Sequence, residues 1–96
     1  MSDEIEYQKQ FTDALKSRGW LTVGVRNPPQ AGWPDVMAFK AGKTAMFEIK
    51  KRGGRLSAEQ ERMHKLLRGY GVYVCVVSSA KSAEAVLGML DERFID

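Results

Sequence analysis

Residues 32–50 read GWPDVMAFKAGKTAMFEIK, and the way this stretch folds decides the rest of the chain. Apolar runs at 36–39 and 44–49 flank Ala41-Gly42, so the stretch reads as two strands joined by a tight turn. With a two-residue turn Lys40 pairs with Lys43, and counting outward sets Asp35 opposite Glu48. Directly opposed residues on one face of an antiparallel pair have Cβ atoms about 4.5–5.5 Å apart. Two carboxylates at that spacing repel unless a cation lies between them. Lys50 follows Glu48 by two residues and projects from the same face. Two acids and a lysine on one spot suit a divalent metal held by hard oxygen ligands, with an ammonium beside it. A three-residue turn would instead set Asp35 opposite Ile49, diagonal to Glu48.

Working outward, residues 3–18 carry Tyr7, Phe11, Ala14 and Leu15 at helical spacing, with Ile5 and Thr12 at the flanks, and Gly19 stops the helix. Residues 21–26 read as a first strand. Asn27-Pro28-Pro29-Gln30-Ala31-Gly32 is a loop, since paired prolines exclude a helix or a central strand. After the hairpin, Lys51-Arg52-Gly53-Gly54-Arg55 forms a basic, glycine-hinged loop. Ser57-Ala58-Glu59-Gln60 fits a capping box and opens a helix to about Arg68, with an expected apolar stripe of Met63, Leu66, Leu67 and Tyr70. Residues 72–77 are continuously apolar, as expected of a strand at the covered centre of a sheet. Residues 82–93 form a last amphipathic helix with Ala85, Val86, Met89 and Leu90 inward, extended by Phe94. The order is α-β-β-β-α-β-α. The helix between the third and fourth strands predicts a crossover to a parallel neighbour, hence a mixed sheet flanked by helices.

Ninety-six residues make one domain, with no room for two cores. The net charge of +3 is compatible with nucleic acid, and the clustering of the basic residues matters more than their sum. Cys75 is the single cysteine and reads as a buried strand thiol, which excludes an internal disulfide and any Cys-based metal site. The polar, acidic N-terminus is no signal peptide, and no apolar run approaches the roughly 20 residues of a membrane span. The expected setting is soluble and cytoplasmic.

Pro34-Asp35, a dozen residues, then Glu48-Ile49-Lys50, on a hairpin within an αβββαβ order, resembles the PD-(D/E)XK nuclease superfamily. The finer pattern of Gly32-Trp33-Pro34-Asp35, Glu48-Ile49-Lys50 and Ser57-Ala58-Glu59-Gln60 is similar to its VRR-NUC (virus-type replication-repair nuclease) branch, in the manner of the short stand-alone phage members. The resemblance runs from the first helix to the fourth strand. It implies an α/β fold with a restriction-endonuclease-like αβββαβ core, residues 1–96 forming a single nuclease domain. Mg²⁺ or Mn²⁺ would be held by Asp35, Glu48 and the backbone carbonyl of Ile49, with Lys50 orienting a water or stabilising charge on the phosphate. The resemblance further implies an acid from the first helix. Glu4 shares that helix's core stripe, and Glu6 is the alternative. Gln60 is either a helix cap or an active-site residue, and the two roles are compatible.

Simpler readings stand beside these. A Glu-x-Lys pair is often a solvated strand face. Here Phe47 and Ile49 occupy one face and Met46 neighbours Glu48 on the other, so the strand is covered on both sides, where an unpartnered Glu is costly. His64 reads as a partly exposed helix residue rather than a general base. Trp20 packs in the core, and Trp33 packs rather than stacking a base. Arg26, Lys51, Arg52 and Arg55 read as phosphate contacts, with Arg62, Lys65 and Arg68 on the outer side of the following helix. The expected function is a metal-dependent endonuclease hydrolysing DNA phosphodiesters, acting on Holliday junctions or other branched DNA as a homodimer, in a bacterial host cell if phage-encoded. The alternatives are a non-catalytic nucleic-acid-binding module and a restriction-type endonuclease on linear duplex. The dimer surface falls on the last helix or on the 27–32 loop.

Overall fold

A computed structural model describes residues 3–50 and 53–93, with side chains from Ile5 onward. The elements are α1 (Asp3–Ser17), β1 (Leu21–Gly24), β2 (Val36–Lys40), β3 (Lys43–Ile49), α2 (Ala58–Gly69), β4 (Tyr73–Val77) and α3 (Ala80–Arg93). The sheet order is β1-β2-β3-β4. β1–β2 and β2–β3 pair antiparallel and β3–β4 parallel, which makes the mixed sheet expected from the crossover helix. Among the described residues no helix is long and apolar enough to cross a membrane.

The turn has two residues. Lys40 pairs with Lys43, and the ladder runs to Val36 opposite Phe47. Ala41 has φ 49° and Gly42 φ 78°, the two positive angles of a type I′ turn, whose twist matches that of the strands it joins. Glycine takes this conformation freely, whereas alanine there is strained by about 1–2 kcal/mol. Ala41→Asn is therefore expected to stabilise the chain by about 1 kcal/mol, raising Tm by roughly 4–8 °C. A Tm equal to or below wild type would contradict the turn geometry.

β3 is the strand on which both cores meet. Phe47 and Ile49 point into a cluster with Phe11 and Leu15 of α1 and Val86 and Leu90 of α3. Met46 points the other way, into a cluster with Met63 and Leu67 of α2 and Val74 of β4. The sheet thus has α1 and α3 on one face and α2 on the other. Phe47 is fully buried, with the Phe11 ring edge-on at 5.0 Å between centroids. The Tyr7 hydroxyl donates to the Ser79 carbonyl and fixes α1 to the start of α3. Trp20 is buried in the first cluster, as expected.

Three expectations fail because apolar residues do not by themselves mark which positions of an element are covered or where it lies in the sheet. β4 lies at the sheet's edge, not its centre. Its run is apolar because helices cover both its faces, and Cys75 within it is only partly buried. The buried stripe of α2 is Met63, His64 and Leu67, whereas Leu66 is 49% exposed and Tyr70 81%. α3 buries Ala83, Val86, Leu87 and Leu90 in place of Ala85 and Met89. Phe94 lies outside the described residues. β1 is also shorter than expected, ending at Gly24.

Candidate active site

Asp35 stands where β2 begins, and its carboxylate completes the edge of β3. Lys50 N–H donates to Val77 of β4, so the N–H and C=O of the preceding Ile49 face the opposite edge, towards β2. β2 has no partner residue there beyond Val36. Asp35 Oδ2 accepts the Ile49 N–H instead, at 2.7 Å. Its carbonyl accepts from Val25 N–H at 2.8 Å. Asp35 is thereby held from both sides, beside the Ile49 carbonyl.

Glu48 points to the α2 face and is 2% exposed. Its Oε1 lies 3.1 Å from Nε2 of His64, which is fully buried. A carboxylate only accepts, so Nε2 carries the proton of this hydrogen bond. Nδ1 is buried without a partner. A protonated ring would bury an unsatisfied N–H at Nδ1, so the neutral ring is the stable one. Burial, then the Arg68 charge, lower the His64 pKa against the opposing pull of Asp35, and Lys50 lowers it further. The expectation of a partly exposed histidine is thus corrected: His64 is the group behind Glu48. The available signal was spacing, because Gln60, Met63, His64 and Leu67 follow the i, i+3, i+4, i+7 pattern of one helix face.

Asp35, Glu48, Ile49, Lys50 and Gln60 line one cleft of about 300 Å³, closed on one side by Ile5 and Gln8 of α1. Gln60 arrives there through the capping box. Its N–H donates to Ser57 Oγ at 3.1 Å, and its Oε1 accepts the Ser57 N–H at 2.9 Å. The cap and the cleft therefore use the same side chain, and its NH₂ group is what remains to donate. Gly32, with φ +82°, lies against this first turn of α2, and a Cβ on it would fall 2.3 Å from the Glu59 carbonyl oxygen. The loop that delivers Asp35 and the helix that delivers Gln60 are thus in backbone contact. Gln8 went unnoticed in the sequence. It sits on the Phe11 and Leu15 face of α1 and passes over Gly24, where a Cβ would stand 3.6 Å from its Nε2.

Of the remaining candidates, Arg26 and Arg55 are exposed, Arg26 following directly on the Val25 tie to Asp35. Lys51 and Arg52 lie outside the described residues, as does the side chain of Glu4. Glu6 is exposed. On α2, Arg62 and Lys65 are exposed, while Arg68 Nη2 donates to the Val74 carbonyl and covers part of the open β4 edge. Trp33 packs against the α2-side cluster with its Nε1 buried and unpartnered.

The donor chemistry fits a hard cation. Two carboxylates with an adjacent main-chain carbonyl match the way Mg²⁺ is bound, through one or two acids with waters retained. Among the described residues no group of three His, Cys, Asp or Glu side chains converges to hold a metal. Asp35, Glu48 and Ile49 line the same cleft, and two carboxylates with the Ile49 carbonyl are the oxygen donors there that could hold such an ion.

Three helices on a four-stranded mixed sheet make an α/β architecture, with Asp35 and Glu48 lining one cleft. A solved structure described as a VRR_NUC domain matches it with a TM-score of 0.80 at 24% identity, covering 98% of this chain and 99% of that one. The chain has the fold of a VRR-NUC domain. No protein-family model matches it, and no curated protein does.

Proposed function

We propose that residues 1–96 act as one nuclease domain that hydrolyses DNA phosphodiester bonds with Mg²⁺ or Mn²⁺. The observation that carries this is the convergence of Asp35, Glu48 and Lys50 on one cleft, in a chain with the VRR-NUC fold. Asp35 and Glu48, with the Ile49 carbonyl, would hold the ion. When bound, it would polarise the scissile phosphate and lower the pKa of a water.

The chain's own groups divide the remaining work. Asp35 is pre-set by its hydrogen bond from Ile49 N–H, so it needs no reorientation on binding. Lys50, half-buried at the cleft, orients the attacking water or stabilises charge growing on the phosphate. The NH₂ group of Gln60, which lines the same cleft, would be a second donor to those oxygen atoms. Glu4, one helical turn before Gln8 on α1, is the acid proposed to complete the ion's outer shell. Arg26, Lys51, Arg52 and Arg55 would bind the phosphates on either side of the cut, a salt-sensitive contribution.

The substrate we propose is branched DNA of the four-way kind, cut by a homodimer whose two-fold axis relates two centres to two strands. A chain this short leaves little surface for reading bases, which disfavours sequence-specific cutting of linear duplex. The test is cleavage of four-way, flapped and linear DNA in Mg²⁺ and in Mn²⁺, with the mass in solution measured by sedimentation. Preferential cutting of the four-way substrate by a dimer is expected. Defined-length products from linear duplex would identify a restriction-type enzyme, and tight binding without cutting a non-catalytic module.

A further inference from the structure

Buried behind the proposed centre is a polar side chain to which the proposed chemistry gives no task. His64 is fully buried on α2, its Nε2 lies 3.1 Å from Glu48 Oε1, and its Nδ1 has no partner. A histidine that served only to fill the core would be replaced at lower cost by leucine or methionine, which leave no nitrogen unsatisfied. The position is the same-face neighbour of Gln60, four residues on, so one helix carries both a cleft-lining amide and the group behind Glu48.

We propose that His64 is a positioning residue: its Nε2–H fixes the Glu48 carboxylate in the orientation that serves the cation at the cleft. This rests on the nuclease reading of Asp35, Glu48 and Lys50. Glu48 comes from a central strand buried on both faces, and its carboxylate lies between the cleft on one side and the α2 core on the other. Loss of the donor on the core side would leave one oxygen of a buried carboxylate without the hydrogen bond that aims it at α2. With the Nε2–H in place, one oxygen is held towards α2. Groups that orient a metal-binding side chain from behind are typically worth about 10–100-fold in metal affinity or activity.

The experiment compares His64→Gln with His64→Asn, two amides of different reach. Gln carries its NH₂ near the place of Nε2 and can still donate to Glu48, whereas Asn ends near the place of Nδ1 and cannot. Mn²⁺ binding is measured by calorimetry alongside thermal unfolding and the Mn²⁺ concentration dependence of DNA cleavage. The proposal predicts that His64→Asn is folded and binds Mn²⁺ about 10–100-fold more weakly. Cutting by this variant should recover towards wild type at high Mn²⁺, while His64→Gln stays within several-fold of wild type throughout. Wild-type Mn²⁺ affinity in His64→Asn, or equal loss in both variants, would overturn it. Glu48→Gln separates the two levels: if it abolishes Mn²⁺ binding while His64→Asn leaves it intact, only the role of His64 falls. If Glu48→Gln also leaves binding intact, the nuclease reading falls with it.

Discussion

Gly32→Ala is expected to destabilise the chain by about 3 kcal/mol or more. Two costs coincide at this residue. A non-glycine residue held at φ +82° is strained by about 1–3 kcal/mol. The added Cβ would also stand 2.3 Å from the Glu59 carbonyl oxygen, 2.6 Å from its carbon and 2.9 Å from Gln60 N. These are main-chain atoms of the capped first turn of α2, so no side chain can swing aside, and overpacking of this kind costs about 1–3 kcal/mol more. A loss of that size lowers Tm by roughly 15 °C in a chain of this length. Gly42→Ala is the control. It has a similar φ of +78° and nothing within 4 Å of the new Cβ, so it carries the conformational cost alone. Equal melting temperatures for the two variants would show that the 27–34 loop does not pack on α2 as described.

The second large effect belongs to Lys50. Lys50→Ala is expected to lower DNA cleavage by about 10²–10³-fold, the usual loss when one charge-stabilising donor is removed from a transition state. Folding should be little changed, because the side chain is only half-buried and the strand's hydrogen bond to Val77 is made by its main chain. Binding of Mn²⁺ should also persist, since Lys50 is not a donor to the ion. Cleavage within tenfold of wild type would remove lysine from the chemistry and leave the two acids to account for it.

The hairpin and its register were legible because a two-residue turn fixes every later pair by counting. Ala41-Gly42 sets Lys40 against Lys43, and counting outward reaches Val36 opposite Phe47, where the ladder ends one residue short of Asp35. The crossover helix predicted the parallel β3–β4 pair by the same kind of necessity. What counting cannot supply is the identity of a neighbour across the core. Apolar residues alone put the α2 stripe at Met63, Leu66, Leu67 and Tyr70, which leaves His64 reading as a partly exposed helix residue. Spacing puts His64 on the face of Met63 and Leu67, but its contact with Glu48 is a pairing between β3 and α2 that no local spacing encodes. Gln8 is obscure for a related reason, since its place at the cleft follows from the packing of α1 over Gly24. Gly32 was recognised as part of a motif, and the reason for a glycine there lies in its approach to the main chain of Glu59 and Gln60.

The central claim is that Asp35 and Glu48 tolerate each other because they share a divalent cation that cuts DNA. Its most direct test is the initial rate of cleavage of a labelled four-way DNA by wild type and Asp35→Asn, with Mg²⁺ and with chelator. Asparagine keeps an oxygen to accept the Ile49 N–H and removes the charge. Wild type is predicted to cut in Mg²⁺ and not in chelator, and Asp35→Asn to be slower by about 10³-fold, matching several kcal/mol of lost transition-state stabilisation. Cutting by wild type in chelator, or equal rates for the two proteins in Mg²⁺, would contradict the account.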